Sequence, residues 1–130
     1  MGCRFLRCPS HTNITVGNGT ETARYVQVNE LVLVTYKLVW GSTTSFGGTI
    51  EVGLPFTSAA GAEGAGVITE AGVSNSVVTA SVAASADKAT IRPHNISASF
   101  ARWDTNIDAS NPFTWGTNDE LRFSIVYEVA

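Results

Sequence analysis

A chain of 130 residues is long enough for one domain with one hydrophobic core. Charged residues make up only 15% of it, and its eight Lys and Arg residues never cluster, so we expect no nucleic-acid partner. No apolar stretch approaches the length needed to cross a bilayer, so we expect no membrane insertion. The low charge suggests instead that part of the surface meets another protein copy.

The first eleven residues show no periodicity and contain a proline. Residues 1–11 are predicted to be a disordered or non-domain leader, and residues 12–130 a single domain. Cys3 and Cys8 are compatible with two free thiols, with a disulfide in a short tail or with a metal pair. A metal pair would need further ligands, and His11 and His94 do not have a suitable spacing. The sequence therefore assigns no metal and no cofactor.

Two strands are predicted ahead of the longest apolar run. Residues 12–16 form the first, and the Gly-Asn-Gly turn at residues 17–19 follows, because both residue types tolerate positive φ. Residues 22–28 form the second. Asn29-Glu30 then makes a tight connection, which predicts that this strand pairs with the next one as a hairpin.

The longest apolar run, residues 31–40, is predicted to be a strand because it is rich in β-branched and aromatic residues. Alternate residues share one side of this strand and are expected to face the core: Val32, Val34, Tyr36, Leu38 and Trp40. The first half is also apolar on its other side, at Leu31 and Leu33. We therefore expect this half to be sandwiched between two layers.

A turn-rich segment, residues 41–48, and a short strand, residues 49–52, follow the long strand. The whole is interpreted as a long core hairpin with a broad tip, which ends before Pro55 because proline cannot donate to a strand ladder. Beyond it the Gly/Ala-rich residues 58–66 are predicted to be a loop.

The remainder of the chain reads as strands and one long loop. Short strands are predicted at residues 67–69, 77–82 and 89–91, a strand or irregular crossing at 95–100, an exposed loop at 101–117 and a final strand at 121–129. The last strand alternates strictly between apolar and other residues. Roughly eight strands without helical periodicity predict an all-β fold, an antiparallel β-sandwich or jelly roll.

No catalytic pattern is present. The chain lacks a nucleophile turn, a phosphate-binding loop and a dinucleotide fingerprint, so no catalytic residue is assigned and we expect a protein that is not an enzyme. Residues 104–108 begin like a calcium loop. Ala109 stands where glycine is required and Trp115 where a bidentate glutamate is required, so no metal site is assigned there either.

The polar loop contains aromatic residues, which either close the end of the core or contact a sugar or protein partner. The candidate ligand or receptor contacts are the following: Trp103, Asp104, Asp108, Asn111 and Trp115.

The order of several segments carries a resemblance. They are VGNGT at 16–20, ARYVQV at 23–28, the long strand, WGSTTS at 40–45, GLPF at 53–56, PFTW at 112–115, the acidic turn at 119–120 and the final strand. This order resembles the C-terminal domain of minor tail proteins and fibre-like virion proteins of bacteriophages, particularly those of actinobacteria. Members of that group usually carry an upstream shaft, whereas only the leader precedes the match here.

The resemblance implies a jelly-roll module, related in shape to the tumour-necrosis-factor and C1q heads, that forms a homotrimer. It implies a virion component, assembled in the host cytoplasm, that contacts other virion proteins and attaches to the host surface, with a cell-surface glycan as a further partner. One sandwich core cannot readily hide both sides of residues 31–34, so an intersubunit core is expected. Its candidate residues are Leu31, Leu33, Val39 and Phe46. The alternative is a monomeric carbohydrate-binding module.

Overall fold

The computed structural model describes residues 10–95, 99 and 102–130. Within them the chain is all-β, with antiparallel pairing and no helix, which confirms the predicted class. The strands are β1 (Thr12–Thr15), β2 (Thr20–Val28), β3 (Leu31–Val39), β4 (Ser45–Gly53), β5 (Ala62–Glu70), β6 (Ser74–Val82), β7 (Lys88–Asn95), β8 (Arg102–Trp103) and β9 (Glu120–Glu128). Cys3, Cys8 and most of the crossing expected at 95–100 lie outside the described residues.

The strand order forces the sheet to curl. The order is β1-β4-β7-β6-β5-β9-β3-β2, with β8 beside β7. A flat sheet would separate the edge strands β1 and β2 by about 34 Å. These two strands follow each other in the chain, and the four residues between them span at most about 18 Å. The edges must therefore lie close together, and the curled sheet encloses one core.

The core is built from the inward side of each strand. On β3 the predicted inward residues are buried, since Val32, Val34, Tyr36 and Leu38 each expose at most 3% of their surface. β9 presents its own inward residues in the same way, from Leu121 to Tyr127, and pairs with β3 along its whole length. These two strands are adjacent in the sheet although they are remote in the chain.

The predicted β3–β4 hairpin is wrong. β3 pairs with β2 and β9, whereas β4 pairs with β1 and β7 on the other side of the curled sheet. The segment between them crosses from one side to the other instead of turning back. Two boundaries change as well: residues 45–48, expected in the turn, belong to β4, and residues 62–66, expected in a loop, belong to β5.

Two glycines in β5 allow it to lie very close to β9. A Cβ atom at Gly66 would stand 1.9 Å from the carbonyl oxygen of Arg122, and one at Gly64 would stand 2.0 Å from that of Ser124. No side chain fits at such distances. The Gly/Ala composition that suggested a flexible loop therefore serves close strand contact.

His11, the last residue of the predicted leader, contacts the sheet. Its Nε2 lies 2.7 Å from Glu21 Oε2, and its Nδ1 accepts a hydrogen bond of 2.9 Å from the backbone N–H of Gly53. Glu21 also accepts a 2.5 Å hydrogen bond from the Tyr36 hydroxyl. This network connects β2, β3 and β4 across the place where the two edges of the sheet meet.

Candidate functional site

The loop between β8 and β9 is fixed by one buried residue, Ile107. Its backbone N–H donates to the carbonyl of Ile91 on β7, and its carbonyl accepts from the N–H of Ile50 on β4, both at 3.0 Å. The residue therefore occupies the place beyond Glu51 and Thr90 where β4 and β7 no longer pair directly. Its side chain is fully buried. Nothing in the sequence singled out this residue, because a lone isoleucine in a polar loop gives no period.

The polar residues predicted to contact a ligand in this loop make local turn bonds. Asp104 Oδ1 accepts from the N–H of Thr105 at 2.8 Å, and Asp108 Oδ1 accepts from the N–H of Ser110 at 2.9 Å. Asn111 Nδ2 donates to backbone and side-chain oxygens of Thr105. Such bonds stabilise the loop itself. Asp104 and Asp108 are not brought together with a third ligand, and the described residues contain no group of three His, Cys, Asp or Glu side chains that could hold a metal.

Trp115, a predicted ligand contact, lies in the core and not on the surface. It exposes 7% of its surface and lies in an aromatic cluster at the end of the core. Its ring stacks on that of Trp40 at 5.7 Å between centroids and meets Phe46 and Phe113 at 5.3 and 4.6 Å. The alternative that the loop aromatics close the core is therefore correct for Trp115.

Trp103 differs from Trp115 because it lies on the surface. Its exposed fraction is 46%, and the guanidinium carbon of Arg92 lies 5.2 Å from its ring centroid. Arg92 Nε in turn donates to Asn106 Oδ1 at 2.8 Å. Grooves lie along this tryptophan, lined by residues of β7, β8 and the following loop, with Thr49 of β4 and Thr79 of β6. Of the predicted ligand contacts, Trp103 and Asp104 line a groove together.

A second surface feature lies on the outer side of β2, β3 and β9. Five aliphatic side chains there expose between 42% and 64% of their surface: Val26, Val28, Leu31, Leu33 and Val126. We call them the β2–β3–β9 face. Val26, Leu33 and Val126 form one row across the three strands, and Val28 pairs with Leu31 in the next. Neighbouring residues of an antiparallel sheet on the same side make contact, so the face is continuous.

The predicted interface residues divide between the face and the core. Leu31 and Leu33 lie on the exposed face, and Val39 is half-buried on the same side of β3. Phe46 exposes only 5% and packs against Trp40, so it is not available to a partner. The expectation that the first half of the long strand is covered on both sides is wrong for the described chain, in which one side is covered and the other is open.

The sequence did not identify Val26, Val28 or Val126 as members of this face. A signal existed for the first two, because the Asn29-Glu30 turn fixes the register and places them beside Leu33 and Leu31. For Val126 the signal was absent, since nothing local indicates that β9 pairs with β3.

The buried hydrogen-bond network around Glu21 depends on the protonation state of its members. Burial alone raises the pKa of the Glu21 carboxyl. The hydrogen bonds from His11 and Tyr36 outweigh burial and leave this pKa below its ordinary value of 4.5. Burial first, and then the neighbouring Glu21 charge, raises the pKa of the Tyr36 hydroxyl well above 10.0.

Comparison with known proteins identifies no relative. No protein-family model, no curated protein and no solved structure matches this chain. Within the described residues, no helix is long and apolar enough to span a membrane.

Proposed function

We propose that this chain is a non-enzymatic structural subunit of a bacteriophage virion, a tail or capsid head domain that forms a homotrimer and presents loops to the host surface. In this proposal the curled sheet is a jelly roll of the tumour-necrosis-factor and C1q type. The observation that carries the proposal is the β2–β3–β9 face: five exposed aliphatic side chains in a chain with few charges. Contiguous apolar surface of this kind is typical of protein–protein contacts.

A second copy of the chain is the partner that the surrounding charges favour. Arg24 lies beyond Val26 on β2, and Glu128 lies beyond Val126 on β9, so opposite charges border the two sides of the face. Neither of them takes part in an ion pair within the described residues. When the β2 side of one copy meets the β9 side of the next, Arg24 approaches Glu128. A repeated contact of this type closes into a ring when its rotation permits.

The number of three copies in the proposed assembly comes from the resemblance of the sequence segments, in their order along the chain, to the phage tail and fibre domains. The face is compatible with it, because its five side chains lie exposed on the outer side of three adjacent strands. The Trp103 grooves lie on β7 and β8, which β5 and β6 separate from β9 in the sheet. Assembly through the face therefore leaves these grooves accessible to other virion proteins or to the host.

Mass spectrometry of purified particles tests the virion role. For a phage that encodes this chain, we expect peptides of the chain to co-purify with particles through a density gradient, in a copy number divisible by three. A chain that is abundant in infected cells and absent from gradient-purified particles would contradict the proposal.

One observation favours a second candidate, a monomeric carbohydrate-binding module: the exposed ring of Trp103 beside polar grooves. This candidate needs only Trp103, since Trp115 is buried. It predicts glycan binding by a chain that stays monomeric at high concentration, whereas the virion proposal requires association.

A further inference from the structure

We propose that the open face of Trp103, together with Arg102 and His94, binds a saccharide that carries a carboxylate group. This inference goes beyond the proposed assembly role and does not depend on it, because the residues concerned lie on β7 and β8 and not on the β2–β3–β9 face. It names a ligand class for the Trp103 surface, which the second candidate function assigns to an unspecified carbohydrate.

Trp103 is held in place although it is half exposed. Strand β8 pairs with the end of β7, so that Trp103 lies opposite His94 and Arg102 lies opposite Asn95. The backbone N–H of the next residue, Asp104, donates to the carbonyl of Pro93 at 2.8 Å. The backbone of Trp103 is thus bonded to the sheet on both sides of the residue. A ligand that stacks on the ring therefore pays little conformational entropy for ordering the protein.

Arg92 covers one of the two faces of the Trp103 ring. Its guanidinium lies over Trp103 at 5.2 Å from the centroid, a cation–π distance, and its Nε is fixed by Asn106. One face of the indole is therefore covered by the protein. The opposite face is the surface available for stacking, and the apolar C–H side of a sugar ring matches a flat indole of this kind.

The charges around the ring are distributed unequally. Arg102, His94 and Thr79 line the groove on one side of Trp103, where no acidic side chain takes part. The other groove is lined by Asp104 and Asn106 together with Arg92 and Arg102. Glu51 and Glu63 line a third groove, which Arg92 and Trp103 also line. No ion pair joins Arg92 or Arg102 to a carboxylate within the described residues.

These positions orient the ligand. Arg102 binds the carboxylate of the ligand on the side of the Trp103 ring where His94 lies, since a guanidinium can bind a carboxylate through two parallel hydrogen bonds. The hydroxyl groups of the ligand lie toward Thr79, whose hydroxyl oxygen is 2.9 Å from His94 Nε2 in the same groove. A long polyanion fits less well, because the chain is acidic overall with a net charge of −3 and its basic groups form no extended track.

Isothermal titration of the full-length chain with matched ligands tests this site. The ligands are a galacturonic acid tetrasaccharide with its methyl ester, and sialyllactose with its methyl ester; the members of each pair differ in the carboxylate charge, and the two pairs distinguish a uronic from a sialic acid. We expect one acid to bind and its neutral counterpart to bind roughly tenfold more weakly, as the loss of a charged hydrogen bond requires.

Three variants locate the binding. Trp103→Ala and Arg102→Gln should each weaken binding of the acidic saccharide by roughly tenfold or more. Trp103→Phe should keep most of the stacking that Trp103→Ala loses. Arg122→Gln is the matched control, because it removes the same charge from an exposed position on β9, and it should leave binding unchanged. An unchanged melting temperature in all four variants shows that the fold is intact.

The proposal is overturned when neither acid binds, when an ester binds as well as its acid, or when Arg122→Gln weakens binding as much as Arg102→Gln. It is also overturned when Trp103→Ala binds like the unmodified chain. None of these outcomes bears on self-association, which is measured separately, so failure of this site and failure of the assembly proposal are distinguishable.

Discussion

Leu33 and Val126 lie directly opposite each other on β3 and β9, and both side chains point away from the core, with 42% and 50% of their surface exposed. The inward neighbours of both residues are almost completely buried, at Val34 and Ile125. The same two strands are therefore apolar on both sides over this part of the sheet. The curled chain covers one side, and the other is available to a partner.

Replacement of Leu33 by aspartate should prevent self-association without unfolding the protomer. The side chain lies in the middle of the exposed row, where a charge would be desolvated by a partner copy but remains hydrated in the monomer. We expect the apparent association constant to fall by about 30-fold or more, the effect of losing roughly 2 kcal/mol at the centre of an interface. Size-exclusion chromatography with light scattering measures this change.

Val77→Asp is the matched control for that experiment. Val77 exposes 53% of its surface on β6, outside the β2–β3–β9 face. Val77→Asp should leave the association constant unchanged. Equal effects of the two substitutions would show that added charge, and not its position, is responsible.

A charge exchange tests which sides of the face meet. Arg24→Glu should weaken association, because it would place two carboxylates together where Arg24 is proposed to approach Glu128 of the next copy. The double variant Arg24→Glu with Glu128→Arg should recover much of the loss. Sedimentation velocity at low salt measures both. A double variant no stronger than Arg24→Glu alone would contradict the head-to-tail contact.

Stability should fall in acid through Glu21. The pKa of this carboxyl is lower in the folded chain than its ordinary value of 4.5. A lowered pKa means that the folded state favours the charged form, so the stabilisation is fully present above pH 4.5 and is lost as the pH falls through the folded-state pKa. Thermal unfolding between pH 7 and pH 3 should show a larger drop in melting temperature for the unmodified chain than for Glu21→Gln.

The control for the acid effect is Glu51→Gln, a carboxyl on β4 outside this network. It should follow the unmodified chain over the same pH range. A Glu21→Gln variant whose melting temperature depends on pH as steeply as that of the unmodified chain would contradict the role of Glu21.

Gly66→Ala should destabilise the fold strongly. Its Cβ would lie 1.9 Å from the backbone oxygen of Arg122, so β5 or β9 would have to move. We expect a loss of about 1–3 kcal/mol or more in the free energy of unfolding, the range typical of overpacking, as measured by urea denaturation. Gly47→Ala is the control, because its Cβ would meet only Asn13 Oδ1 at 3.6 Å. Equal stability of the two variants would contradict the close approach.

Local pattern was sufficient for β2, β3 and β9 and for one hairpin. Alternation identified the inward residues of β3 and β9, and the Asn29-Glu30 turn identified the β2–β3 pairing, because both signals depend on neighbours in the chain. The pairing of β3 with β9 depends on residues almost ninety positions apart and left no local trace. The predicted β3–β4 hairpin failed for the same reason, since residues 41–44 resemble a turn but cross the curled sheet.

The candidate site shows the same limit. Trp103 and Trp115 occur in one polar segment, and composition gave them equal roles. Their different exposure follows from tertiary contacts: Trp115 packs on Trp40, whereas Trp103 is carried by a two-residue strand at the margin of the sheet. The burial of Trp115 depends on Ile107, which holds the loop between β4 and β7. The sequence does not indicate this position of Ile107.

The most direct test of the account is the mass of the purified full-length chain in solution, determined by sedimentation equilibrium over a range of micromolar concentrations. We expect a species with the mass of three protomers of 13.7 kDa each, replaced by single protomers in Leu33→Asp. A single species of 13.7 kDa at every concentration would contradict it, because the exposed aliphatic face would then have no partner copy to cover it.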